Sequence, residues 1–537
     1  MLFSADPSLF GLRGRALECL GHIAVAIGGD HFERYFDKGI ESAWQGVQLE
    51  DDVLREHAYV FFANSSKVMG KRFDKYTTLV MPHLLEVIAE KEVTFNPNDD
   101  DDDGAANPVA PGAEGDDEDD SEDGDYVFNG DDEFVNSKKA AITAVGCIAE
   151  YTKELFYPWL HQTCEALLKE EDGAIDSMHD AIRAEAVLVM KDMIISAAAA
   201  NGCPEPVKGQ VITLPEHVNQ YTNLCLTKCI STLEDYEKLP VSQACEAIEG
   251  ILSTLGMSAL NTIGQDGVNK LMHNILSLLQ EKGECQKGGD AGEGDGEDDD
   301  DHDNIVMDAV TDVIGALARA MGSLFIQYFD HFVPSLLKFT KDSRVYSDRS
   351  MAIGCFAEVF QEVGSPCSKY VETIIPIIQR GLTDSMESVR RNSAYCIGTL
   401  VANCGTTLTP HYITILQWLH PLCIRQNTQV GSDIGGADID NAISTVARMI
   451  QVSIDSVPLA HILPVMLSSL PLRSDHEEGV NVYNTLIGLL TSNNPVAVSM
   501  KDQFLECFRQ VVSPDSLAKD ATKVVVRNYL SSIGVAC

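Results

Sequence analysis

Apolar residues recur at helical spacing along almost the whole chain, and Tyr370 to Gly405 shows the unit most cleanly. Ile374, Ile377, Ile378 and Leu382 form one stripe. Thr383-Asp384-Ser385 interrupts it with turn and cap chemistry. Val389, Ala394, Ile397, Leu400 and Val401 then form a second stripe, in which Ala394 and Gly398 leave room for another helix to approach. Pro376 is expected in the first turns of the leading helix, where a missing donor costs least. Gly405 suits a left-handed stop behind the second helix. Neither helix can cover its own stripe, so such pairs must stack on one another.

The pairs repeat. Tyr328, Tyr370 and Tyr412 recur every 42 residues, within the ~40–47 expected of HEAT or armadillo units. Pro334 and Pro376 stand six places after the first two tyrosines, Trp418 takes that place in the third, and Tyr76 and Pro82 repeat the offset upstream. Gly322, Gly364 and Gly405 keep nearly the same step. The predicted fold is all-α, a HEAT-repeat superhelical solenoid occupying residues 1–95, 136–282 and 304–537. Two acidic inserts, 96–135 and 283–303, are expected to be disordered and to fall between the two helices of a repeat. The first helical run, Leu9 to Gly28, reads as the second helix of a pair with no capping repeat before it. Met1 is accordingly expected to lie inside a longer array.

Charge changes the picture next. The net charge is −42, and 17 acidic residues between Asn96 and Ser137 plus ten between Gly283 and Asp303 carry more than half of it. Such segments cannot bury enough apolar surface to order themselves. They are either solvated tails or an electrostatic screen for basic partners. Direct nucleic-acid binding is not expected, because it needs clustered Lys and Arg. Asp99, Asp101, Asp103 and Gly104 imitate a calcium loop, but Ala110 stands where a bidentate Glu belongs. The fifteen cysteines are scattered and never spaced CxxC, which points to a reducing compartment without a zinc site. No enzyme motif, cofactor, metal or membrane span is expected.

One late cluster carries candidate chemistry. Asp438, Asp440 and Asn441 open one second helix; Glu477, Glu478 and Asn481 open the next, with Asn441 and Glu477 36 residues apart. Stacking would set both groups at the same end of adjacent helices on the concave side, as an oxygen cage for lysine ammonium groups. The same residues also suit helix caps and dipole partners. Asn392 and Asn484 could extend the row by holding a peptide backbone. Arg390 and Arg391 are expected to be structural, pairing with an Asp of the neighbouring repeat.

Two stretches go beyond generic helix pairs: LRGRALECLGHIAVAIGGDHFERYFDKGIESAWQGVQLEDDVLREHAYVFFANSSKVMG (12–70) and DNAISTVARMI with VPLAHILPVMLSSLPLRSDHEEGVNVY (440–450 and 457–483). Both resemble the importin-β (karyopherin-β) family, its importin-4-like branch most closely. That resemblance implies a nuclear import receptor shuttling between cytoplasm and nucleus. It implies basic cargo of histone or ribosomal-protein type on the concave face, and the late cluster as a cargo site. It also implies Phe-Gly nucleoporins in grooves between first helices. Ran-GTP would bind through amino-terminal repeats with no counterpart here, so Ran-driven release belongs to the full-length protein. The alternatives are a HEAT scaffold without a transport role and an acidic histone chaperone acting through the inserts.

Overall fold

In the computed structural model the described residues are 2–49, 51–91, 132–169, 173–287, 298–425 and 435–535. Most of both acidic inserts lies outside them. Where the expected inserts are described, they already hold structure: helix α5 begins at Asp132, a 3-10 turn covers Glu284–Gln286, and α11 begins at Asp298. All regular structure among the described residues is helical.

Two compact units, Met1–Gly202 and Cys203–Cys537, divide the chain. The first contains α1 (Phe10–Ile27), α2 (Gly29–Val47), α3 (Asp52–Met69), α4 (Thr77–Ile88), α5 (Asp132–Thr152), α6 (Leu160–Leu168) and α7 (Asp180–Ala200). Its second helices α1, α3, α5 and α7 stack in order, and α2, α4 and α6 each pair with the helix that follows. Phe32, Phe36, Phe61 and Phe62 are buried in this stack; truncating one such ring to alanine typically costs about 3–5 kcal/mol.

The second unit contains α8 (Glu216–Thr232), α9 (Lys238–Leu255), α10 (Met257–Leu279), α11 (Asp298–Met321), α12 (Ile326–Phe339), α13 (Tyr346–Val363), α14 (Val371–Gly381) and α15 (Glu387–Cys404). It continues with α16 (Tyr412–Cys423), α17 (Ala437–Val452), α18 (Leu459–Ser468), α19 (Gly479–Thr491), α20 (Pro495–Ser499), α21 (Lys501–Val512) and α22 (Asp520–Ser532). Here α9, α11, α13, α15, α17 and α19 stack in sequence, with α22 closing against α19. This is the HEAT-repeat arrangement, and residues 92–131 and 288–297 do fall between the two helices of a pair. The most apolar stretch, Ile305–Phe339, would suit a membrane span by length and composition. It is two helices broken at Gly322 and mostly buried against its neighbours.

The tyrosine period has a physical reason. Tyr76 Oη donates to Asp37 (2.8 Å) and Tyr370 Oη to Asp330 (2.7 Å), each on the preceding first helix. Lys75 and Lys369 approach the same two carboxylates, which those bonds hold below the usual carboxylate range. Tyr328 and Tyr412 depart from the pattern: the Tyr328 hydroxyl accepts from Gln265 (3.3 Å), and Tyr412 is fully buried with no hydroxyl partner among the described residues. Gly364 (φ 70, ψ −144) and Gly405 (φ 55, ψ −133) do end their helices with positive φ. Their ψ values lie beyond the left-handed helical well, in a region that suits glycine best. Pro376 is the sixth residue of α14, within its first two turns, where it removes one intrahelical bond.

Candidate functional site

Side-chain contacts link neighbouring second helices from α9 to α19. Arg319 of α11 reaches Glu249 (3.3 Å) and Ser253 (3.3 Å) of α9. A Cβ on Gly315 of α11 would stand 2.6 Å from the Glu358 carboxylate of α13. Asn392 of α15 donates to Ser350 O (2.8 Å) of α13, and Tyr395 donates to Gln361. The Arg448 guanidinium of α17 sits 5.6 Å from the Tyr395 ring centre and bonds Glu478 (2.9 Å) at the start of α19.

The eight residues expected to hold cargo are unequal in this row. Asp438 is fully buried and clamped between two arginines, Arg390 Nε (2.7 Å) and the Arg425 fork (2.7 and 2.8 Å). Asp440, also fully buried, accepts the backbone N–H groups of Arg473 (3.0 Å), Ser474 (2.8 Å) and Asp475 (2.9 Å). Burial raises its pKa, and those three amides oppose the shift. Asn441 is buried and donates to Asp475 (2.8 Å), which places it at the same helix end as Glu477. Glu478 is nearly buried against Arg448 and Ser444. Asn481 is half-buried, donating to Ser444 Oγ (2.6 Å) and accepting from Gln451 (2.9 Å). Asn392 is half-buried, Asn484 is exposed, and Glu477 is exposed and paired with Lys519. Solvent therefore reaches Glu477 and Asn484 fully, and Asn481 and Asn392 in part. Arg390 has the structural role expected of it, whereas Arg391 is exposed and donates to Asn392 (3.2 Å).

Sequence reasoning missed the other half of the row. Between α9, α11 and α13 lies an open groove of about 490 Å³ lined by Glu246, Glu249, Asp308, Asp312 and Glu358, with Arg319 as its cation. Glu362, one turn beyond Glu358, is paired with Lys208. Lys208 comes from the loop between α7 and α8, which is anchored by Gly209 N to Ala320 O (2.8 Å) and Ile212 N to Ser258 Oγ (2.9 Å). Burial pushes the Asp308, Asp312 and Glu358 carboxyls up. For Asp312 the charges of Asp308 and Glu249 add to it, and for Glu358 that of Asp312; Arg319 opposes both. Such a site favours an entering cation, because one positive group relieves several repulsions at once. The signal was present in like-charged pairs at i,i+3 or i,i+4 on three successive second helices: Glu246/Glu249, Asp308/Asp312 and Glu358/Glu362.

Family comparison places the groove inside recognised repeats. Residues 298–434 match the model described as importin subunit beta-1-like, TPR repeats, and residues 241–342 match importin repeat 6. Probable importin subunit beta-4 of Schizosaccharomyces pombe is 25% identical over 535 residues, covering 95% of this chain and 48% of its own length. Importin-4 of Homo sapiens is 24% identical over 398 residues, covering 73% of this chain and 35% of its own length. Among solved structures, Kap121p superposes with TM-score 0.63 at 14% identity, covering 98% of this chain and 48% of that one. Kap121p bound to RanGTP gives TM-score 0.62 at 15% identity, covering 97% and 46%. The chain thus spans about half, or less, of the length of the relatives it matches.

Proposed function

Since this chain belongs to the importin-β (karyopherin-β) family, we propose that it acts in a nuclear import receptor and holds basic cargo along the polar face of its second helices. The observation that carries this reading is the α9–α11–α13 groove, where Glu249, Asp308, Asp312 and Glu358 face Arg319. Lysine-rich segments of histone or ribosomal-protein type supply the missing charge. Asn392, Asn481, Asn484 and Glu477 extend the same face and would hold cargo backbone or a flanking lysine. Asp438, Asp440, Asn441 and Glu478 would act from behind, fixing the helix starts that carry those groups. Kap121p has been solved with Pho4p, with Nup53p and with RanGTP. Those complexes support cargo, nucleoporin and Ran-GTP as partners of the whole receptor and shuttling between cytoplasm and nucleus as its behaviour.

Fluorescence anisotropy of a labelled lysine-rich peptide with the histone H3 tail composition tests the site. Asp308→Lys, Asp312→Lys and Glu358→Lys together should weaken binding at least about tenfold, and the wild-type interaction should weaken steeply with salt. Unchanged affinity in the triple variant removes the groove assignment. The acidic-chaperone alternative is separated by deleting Asp99–Asp132, which abolishes histone binding on that view and only slows it on this one.

A further inference from the structure

The loop between α7 and α8, residues 201–215, is fifteen residues long, whereas connections between packed helices usually take about 2–8. Lys208 is its one cation and Glu205 its one acid. The loop runs past the ends of two second helices. Pro206 lies against Gly256, just beyond α9, where an added Cβ would meet Pro206 Cβ at 2.7 Å. Lys208 passes Gly322, just beyond α11, where an added Cβ would meet its Cγ at 2.8 Å. Both glycines have positive φ (56° and 57°), so the residue that ends each helix also leaves the loop its path. Beyond Gly322 the Lys208 ammonium reaches the Glu362 carboxylate of α13.

That contact continues the acidic groove. Burial and the charge of Asp312 raise the Glu358 carboxyl, Arg319 opposes them, and Glu362 adds to the rise, so the four groups act on one another. The two members of the new pair are held differently. The Glu362 side chain is 15% exposed and the Lys208 side chain 46%. The acid is therefore part of the groove wall, while the cation rests at the surface on a flexible four-carbon stem. A pair with one partner half in solvent is worth about 0–1 kcal/mol, so another ammonium group can replace it at little cost. Pro206 and the Gly209 N–H bond to Ala320 O fix the backbone on both sides of Lys208. Exchange needs only the lysine side chain to swing away.

We propose that Glu362 is a further lysine subsite at the end of the α9–α13 groove, occupied by the chain's own Lys208 until a lysine-rich segment displaces it. The loop is then an internal competitor. Tethering gives Lys208 a high effective concentration, so it holds Glu362 against single ammonium groups and yields to a segment already engaged elsewhere in the groove. A segment with lysines only for Asp308, Asp312 and Glu358 leaves Lys208 in place, and one that presents a lysine further along takes Glu362 as well. Weakly basic segments are thereby disfavoured relative to lysine-rich ones. This inference rests on the groove as the cargo site.

The labelled lysine-rich peptide, titrated by anisotropy against the full chain, tests this. Lys208→Met keeps an aliphatic stem over Gly322 and removes the charge. It should tighten binding at least about threefold with the thermal melt unchanged, and Lys208→Gln should do the same. In a Glu362→Gln background the Lys208→Met gain should shrink to less than about 1.5-fold, because no subsite is left to unmask. An equal gain in both backgrounds would mean that Lys208 acts only through long-range charge, and no gain in either would mean that it competes with nothing; each result overturns the proposal. If the Asp308→Lys, Asp312→Lys, Glu358→Lys variant loses binding while Lys208→Met and Lys208→Gln are both indifferent, the groove stands and the competitor falls. A wild-type chain that ignores the peptide removes both.

Discussion

The second helices carry carboxylates in two neighbouring regions that differ in the cations around them. From α15 to α19 every buried acid is matched: Asp438 by Arg390 and Arg425, Glu478 by Arg448, and Asp440 by three backbone amides. From α9 to α13 the acids outnumber their cations, and burial together with mutual repulsion raises the pKa of Asp312 and Glu358. The first arrangement builds structure, because a buried charge must be compensated from within. On the proposal above, the second leaves compensation to a bound cation. Counting acids therefore identifies neither region; counting the arginines that reach them separates the two.

The largest effect should come from breaking the matched region. Asp438→Ala leaves Arg390 and Arg425 facing a buried void, and should cost about 3–5 kcal/mol in urea unfolding. A loss below about 1 kcal/mol would mean that this clamp does not hold α15 to α17. Acidification sharpens the comparison more gently. A carboxyl whose folded pKa is raised is unfavourable while ionised, and that penalty is released as pH falls through the folded value. Lowering the pH from 7 toward the raised range of Asp308, Asp312 and Glu358 should weaken lysine-peptide binding without lowering the melting temperature. Titrations of anisotropy and of melting against pH check this, and a melt that falls in step with binding would count against it. The smallest effect belongs to Glu477→Lys, which loses only an exposed pair with Lys519. Stability should change by less than about 1 kcal/mol and lysine-peptide binding by about twofold; a tenfold loss would move the cargo site to the late cluster.

Much of the fold was legible because the chain repeats itself. The Tyr76 and Tyr370 latches and the stops at Gly364 and Gly405 are local chemistry at a fixed period, which a sequence displays directly. The helix starts hidden in the acidic inserts were not legible, since Asp132 and Asp298 look like insert residues until the apolar stripe behind them is packed. In the late cluster, spacing placed Asn441 and Glu477 at one end of neighbouring helices. It could not show that Arg425, thirteen residues before Asp438, folds back to bury that acid. The α9–α13 groove is the converse case. Its acids lie far apart along the chain, and each helix alone looks like an ordinary solvated face.

The most direct test of an acidic groove held ready for a cation is the double variant Asp312→Asn, Glu358→Gln, measured for urea stability and lysine-peptide affinity in the same buffer. Removing ionised groups whose pKa the fold has raised should leave the protein as stable as the wild type or more so, while the peptide binds several-fold more weakly. A variant that is clearly less stable yet binds the peptide as well as the wild type would contradict the account.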